Sequence, residues 1–222
     1  MSLPRVARNG SASMTAQPLN PFDPGYCDEH ELATLGFRAV GRDVRVARNA
    51  TLIGLHNIAL GDHVRIDGGT VIVAEGAGSL TLGSYIHIGA HCYIAAGAGV
   101  VLEDFSGLSQ GVRIYSRSDD YSGEHLTNPT VPARYLGVSA GTVHLQRHVI
   151  VGSGSVILPG LTLGEGCSVG ALSLVNKDLA PWGMYFGAPA RRLRERSRRL
   201  LELEAELRRS SPRVAAPGPA QG

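Results

Sequence analysis

The residues best suited to moving protons near neutral pH are two histidines and a pair of aspartates. They are His87, in SYIHIGAHCYI, and Asp119, Asp120 and His125, in YSRSDDYSGEHLTNP. An imidazole titrates at about 6.5 and can take a proton from a hydroxyl or an amine. An aspartate in water titrates at about 4, and is a feeble base unless burial raises it or a histidine works beside it. Histidines also bind metals, and His87 and His91 stand four residues apart, as do His144 and His148. A catalytic zinc centre needs three protein ligands converging on one open position. Cys27, Cys92 and Cys167 are odd in number and lack the pair spacing of a metal site. They read as reduced thiols, with Cys167 a small buried side chain.

What must position these groups is a period of six. Leu145, Val151, Ile157, Leu163, Val169 and Val175 recur without a break. Leu60, Ile66 and Ile72, then Leu82, Ile88 and Ile94, then Leu102, Leu108 and Ile114 repeat the step, with slips between runs that read as insertions at corners. A helix repeats its apolar face at about 3.6 residues and a half-buried strand at about 2, so a steady six belongs to a larger unit. The physical reading is a prism-shaped coil with one short strand and one turn per unit. Three units make a turn of about 18 residues, and inward aliphatic side chains stack in columns. The 29 glycines suit sharp corners, and an aromatic content of 5% suits a narrow interior without room for rings. One coil cannot bury its own aliphatic face, so several must stack before burial, at roughly 25 cal/mol per Å², offsets chain entropy.

The chain divides accordingly. Residues 1–20 and 210–222 are expected to be disordered tails, 21–43 a helical cap, 44–180 the coil, and 181–209 a closing segment and helix. CDEHELATLGF predicts a short helix capped by Asp28, favoured by Glu29 and Glu31, stopped by Gly36 and docked through Leu32 and Leu35. Periodicity vanishes over 115–142, where Tyr115, Asp119, Asp120, Tyr121, His125 and Tyr135 collect. A loop that long in a compact repeat is functional or disordered, and its content favours function. ARRLRERSRRLLELEAELRR predicts an amphipathic helix with Leu193, Leu200, Leu203 and Leu207 as its apolar stripe and a solvated Arg/Glu face. A net charge of +2 creates no field that would attract nucleic acid. No apolar run approaches the roughly 20 residues of a membrane span, and the opening stretch lacks the apolar centre of a secretory signal. The expectation is a soluble, cytoplasmic protein without membrane insertion.

The repeats, the interrupting loop and the ending NKDLAPWGMYFGAPARRLR together resemble the hexapeptide-repeat acyltransferases over about residues 28–203. More narrowly the chain is similar to the galactoside and maltose O-acetyltransferases and related sugar acetyltransferases of surface-polysaccharide pathways. The weight rests on the repeats of 145–175, then Lys177-Asp178 and Gly187-Ala188-Pro189-Ala190-Arg191. The resemblance implies an all-β fold: a left-handed parallel β-helix with a short N-terminal helix, one long inserted loop and a C-terminal helix. The hand comes from the resemblance alone, because parallel connections are ordinarily right-handed. Also implied are a homotrimer with active sites in the grooves between subunits, acetyl-CoA as cosubstrate and no metal. The reaction implied moves an acetyl group to a hydroxyl, or to an amine, of a sugar or nucleotide-linked sugar.

Acetyl transfer needs a slot for the pantetheine arm, positive charge for its phosphates, and a base beside the acceptor. Small residues on an outer face, Ser153, Gly170, Ala171 and Ser173, would let backbone groups approach the arm. By the resemblance, Ser153, Ala171, Asn176, Lys177, Arg191 and Arg194 match positions that line the cofactor, and Lys177 and Arg191 suit its phosphates. In the galactoside group a His opening the long loop takes the sugar proton. Here Asp119 stands in that place, and an Asn near 95–97 and a Trp near 150 are missing as well. His87 matches a His that some sugar N-acyltransferases of the superfamily direct at the thioester. It is therefore the expected base across the subunit groove, with Asp119 or Asp120 orienting it or gripping the sugar, and His125 as the alternative. Two rivals share the coil. A zinc-dependent carbonic anhydrase would need a five-residue histidine spacing that does not occur, and a non-catalytic scaffold would need neither the polar loop nor the cofactor-type ending.

Overall fold

The computed structural model describes Asn20 and residues 22–210; the two expected tails lie outside the described residues except for Asn20 and Ser210. Three parallel sheets form the faces of a prism, visited in rotation. The first face climbs through Arg45–Ala47, Val64–Ile66, Ile86–Ile88, Gly107–Leu108, Ile150–Val151, Ser168–Val169 and Gly183–Phe186. The second runs from Ala39–Val40 to Thr162–Leu163, and the third from Thr51–Ile53 to Leu174–Val175. Strands stack in register, with Ile66 on Ile88, Leu82 on Leu102 and Ile94 on Ile114. Every member of the six-residue series is buried in the resulting columns.

A second inward position, two residues earlier, is also closed, at Ile58, Val64, Leu80, Ile86, Val100 and Val143. Strand side chains alternate, so positions i and i−2 share the inward face. Cys92 and Cys167 occupy such places, where burial pushes their thiols up to about 11 and about 12 and makes them inert. Rings do find room, Tyr185 in the core at the last coil and others on the outside. At the corner between the second and first faces, His63, Tyr85, Phe105 and His148 all take left-handed backbone with φ of 57° to 61°. Their rings stack along the edge at 4.6, 4.7 and 5.2 Å between centroids. Such contacts are worth about 0.5–1.5 kcal/mol each and support a backbone conformation that non-glycine residues seldom adopt.

The ends of the prism are covered in two ways. Helix α1 (Glu29–Ala33) is capped by Asp28 as expected, and Glu31 reaches back to the Asp28 N–H to complete a capping box; Leu32 docks, but Leu35 is exposed. Before it, Tyr26–Cys27 runs antiparallel to Arg45–Ala47 and covers the lower edge. At the top, Arg191–Glu195 is a strand antiparallel to Gly183–Phe186, where sequence periodicity had suggested helix. The open hydrogen bonds of the last first-face strand override helical propensity there. Helix α2 spans only Arg199–Ser210, and Leu193 is exposed outside its stripe. Nor is its polar face wholly solvated. Glu204 is buried, and its carboxylate accepts from Arg147, from His148 Nε2 at 2.7 Å and from Arg208 Nε at 2.7 Å. Among the described residues no helix is long and apolar enough to cross a membrane.

The insertion is an ordered excursion. Tyr115 still belongs to the third face, opposite Ala95, so the departure begins at Ser116. Arg117–Ser118 pairs antiparallel with Ser139–Ala140 at its base, and Leu126 bridges Leu136 farther out.

Two outcomes follow. Ile114→Ala should cost about 2–5 kcal/mol in denaturant unfolding, whereas Leu35→Ala should change stability by less than about 0.5 kcal/mol. Burial pushes the Glu204 carboxyl up, but Arg208, His148 and Arg147 outweigh it and hold the pKa below the usual glutamate value. The latch on α2 therefore contributes fully above the unfolded value of about 4.3 and is lost as pH falls through the lower folded value. Glu204→Ala should remove about 1–3 kcal/mol at neutral pH and abolish that acid-side decline in a melting-temperature profile.

Candidate active site

The outward column of the first face reads Arg65, His87, Gly107, Ile150, Ser168, Met184 from bottom to top. His87 stacks on Arg65, and Asp67, two residues past Arg65, turns back beneath it. His87 Nε2 lies 2.8 Å from Asp67 Oδ2, while Arg65 Nε and the Tyr26 hydroxyl donate to Oδ1 at 2.7 and 2.8 Å. Partial burial pushes the Asp67 pKa up, but the bonds from Arg65, His87 and Tyr26 outweigh it and hold the pKa below its usual value. Asp67 is thus an acceptor only, so Nε2–H donates and a neutral imidazole keeps its lone pair on Nδ1. This is the arrangement of a general base with a carboxylate behind it. Asp67 escaped the sequence reading because its link to His87 spans one whole coil.

His87 also borders a cleft of about 590 Å³ between the first face and α2. Tyr85, Phe105, Gly107, Ser109 and Gln110 line it on the coil side, and Leu200, Leu203 and Leu207 on the helix side. Gln110 reaches the opposite edge of the face, where Ser153 Oγ donates to its Oε1 at 3.3 Å.

Other expected site residues fall in two groups. Ala171, Asn176, Lys177, Arg191 and Arg194 are exposed and Ser153 partly so, on the last coils and the closing strand. No carboxylate among the described residues pairs with Lys177 or Arg191, which leaves both cations available to an anion. Ser173, by contrast, is buried, with its hydroxyl donating to Gly170 O, and does not lie on an outer face. Gly170 packs under Phe186, so closely that a Cβ would fall 2.1 Å from the ring. Its N–H and C=O are both satisfied internally, by Tyr185 O and by Ser155 and Ser173. Ser173 thus offers no surface to a pantetheine arm, and Gly170, though partly exposed, has no free backbone group to give it.

In the insertion, Asp120 is the hub. It accepts from the Ser122 N–H and hydroxyl and from the His125 N–H, and lies 3.0 Å from His125 Nδ1. The Ser122 amide and hydroxyl, with His125, hold its pKa far below the usual carboxylate range. Asp119 accepts from the Asn128 N–H. No hydrogen bond joins this loop to His87 within the protomer; the orienting carboxylate of His87 is Asp67. The spaced histidines also part company: His91 sits at a corner over Gly69, His144 pairs with Glu103 at 2.6 Å, and His148 with Glu204. Among the described residues no three His, Cys, Asp or Glu side chains come together.

No family model matches the chain. A dTDP-4-amino-4,6-dideoxy-D-glucose acyltransferase of Escherichia coli is 40% identical over 186 residues, 84% of this chain and 96% of that protein. The chain belongs to the dTDP-aminosugar acyltransferases of hexapeptide-repeat type. Among solved structures, AntD, an N-acyltransferase from Bacillus cereus crystallised with dTDP and 3-hydroxybutyryl-CoA, superposes with a TM-score of 0.81 at 36% identity. The match covers 85% of this chain and 98% of AntD. A hexapeptide-repeat acetyltransferase from Vibrio cholerae, at 22% identity and a TM-score of 0.51, shares the fold. As an acyltransferase of this type, the enzyme uses a coenzyme A thioester as cosubstrate.

The loop geometry predicts that Asp120→Ala raises amide hydrogen exchange at Ser122 and His125 by at least about tenfold, with exchange in the core strands unchanged.

Proposed function

We propose that this acyltransferase acylates the amine of a dTDP-linked amino sugar, using acetyl-CoA or a longer acyl-CoA, as a homotrimer in the cytoplasm. The observation that carries the reading is the His87–Asp67 pair, with Nδ1 free beside an open cleft. Its support from relatives is the acceptor named for the Escherichia coli protein and the AntD complex with dTDP-4-amino-4,6-dideoxyglucose and coenzyme A. The amine thus takes precedence over the hydroxyl that sequence alone put first.

In this reading the amine nitrogen attacks the thioester carbonyl carbon, the C–N bond forms and the C–S bond breaks. The nitrogen's proton passes to His87 Nδ1 and then to the departing thiolate. Asp67 is a positioning residue that stabilises the imidazolium. Ser153, Ala171 and Asn176 border the arm, while Lys177, Arg191 and Arg194 face its phosphates. AntD variants at one serine, and at an aspartate ten residues beyond it, were solved with dTDP and coenzyme A bound. Ser109 and Asp119 keep that separation here, and Ser109 lines the cleft. Asp119, from the loop of the adjacent subunit, is accordingly assigned to the acceptor sugar, with Asp120 and His125 shaping that loop.

Thiol release from acetyl-CoA tests this directly. dTDP-4-amino-4,6-dideoxyglucose should support turnover and dTDP-glucose, which offers only hydroxyls, should not. His87→Ala should lower kcat by at least about 100-fold. Full activity of that variant, or a sedimentation mass of one chain for the active species, would contradict the proposal.

A further inference from the structure

Two histidines in this molecule are backed by a carboxylate, and the two carboxylates are held differently. In the His144–Glu103 pair, the far oxygen of the carboxylate takes the Arg147 backbone N–H at 3.2 Å, and the Glu103 side chain keeps 36% of its surface exposed. The Asp67 side chain keeps only 13%. Its Oδ1 accepts from Arg65 Nε at 2.7 Å and from the Tyr26 hydroxyl at 2.8 Å, while Oδ2 meets His87 Nε2. Two side chains thus converge on the oxygen that His87 does not use.

Coil register alone supplies neither donor. Tyr26 belongs to the strand Tyr26–Cys27, which lies outside the repeats and runs antiparallel to Arg45–Ala47. That strand is fixed in its turn: the Arg48 N–H donates to Gly25 O at 3.0 Å, and the Arg48 guanidinium donates to Glu31 of α1 at 2.7 Å. Arg65 stands on the outward column between Arg45 and His87, one a cation and the other an imidazole that must gain positive charge. Such a place is unfavourable for a guanidinium unless an anion answers it. Asp67 does, and the Tyr26 ring, 5.6 Å from the guanidinium carbon, flanks the contact. A carboxylate gripped through one oxygen by two donors cannot swing the other away from the imidazole. Arg65 also keeps it ionised, so that a proton taken at Nδ1 stays on the ring.

We infer that Tyr26 and Arg65 are positioning residues: together they clamp Asp67, and through it they hold His87 as the Nε2–H tautomer with the Nδ1 lone pair open to the cleft. This rests on the role proposed above for His87. It extends the catalytic apparatus to a strand outside the coil and assigns a purpose to the hydroxyl that the strand carries.

The tautomer is read from the imidazole nitrogen chemical shifts of the full chain labelled at histidine, with His87→Ala identifying the signals. At about pH 8.5, well above the ordinary imidazole value of about 6.5, the wild type should show His87 as the Nε2–H form. In Tyr26→Phe and in Arg65→Met its two nitrogen shifts should converge as the tautomers mix, while His144, backed by Glu103, should keep its shifts in the same spectra. In turnover, kcat should fall about 10-fold in Tyr26→Phe and about 100-fold in Arg65→Met, with KM for acetyl-CoA unchanged. Arg65→Lys, which restores a cation, should recover much of the loss. A His87 tautomer untouched in both variants, or a kcat untouched in both, would overturn the inference. Full activity of His87→Ala would instead refute the proposed base, and a tautomer that still shifts in the two variants would leave the clamp standing.

Discussion

The register of one coil on the next is the constraint from which everything else in this molecule follows. Parallel strands hydrogen-bond rung on rung, so a residue in one coil lies directly above its counterpart in the coil below. Inside the prism this aligns aliphatic side chains into columns. At the corner it aligns His63, Tyr85, Phe105 and His148 into a stack. On the first face it sets His87 over Arg65 and brings Asp67 within hydrogen-bond distance of the imidazole.

The same rung relation occurs a second time. His144 stacks on Val101, and Glu103, two residues past Val101, meets its Nε2 at 2.6 Å. A carboxylate-backed histidine is therefore a geometry that this lattice produces readily, and geometry alone does not make a site. His87 differs in its surroundings, because it borders a cleft bounded by a docked helix and lined by Gln110, which accepts from the Ser153 hydroxyl. The C-terminal segment matters for this reason. Its strand closes the top of the prism, and its helix, anchored by a carboxylate in place of an apolar stripe alone, supplies the outer wall.

Much of this was legible in the sequence because the period of six is a local signal repeated many times. The columns, the position of the insertion and the Asp28 cap of α1 all follow from spacing and residue type. What escaped depends on contacts between coils or on competition at an edge. Asp67 stands twenty residues before His87, and no local pattern links them. Ser173 looked like an open residue because it is small and polar, yet strand alternation places it inward, two residues before Val175. Arg191–Glu195 has the composition of a helix, but the unpaired edge of Gly183–Phe186 was a stronger partner. Glu204 read as solvent-facing because its partners, Arg147 and His148, lie more than fifty residues away.

The central claim is that His87 and Asp67 act as one unit, joined by the register of their coils. A double-mutant cycle on kcat/KM, built from His87→Ala, Asp67→Asn and the double variant, measures this most directly. The account predicts that once His87 is gone, Asp67→Asn costs nothing further. Independent losses that simply multiply in the double variant would contradict it.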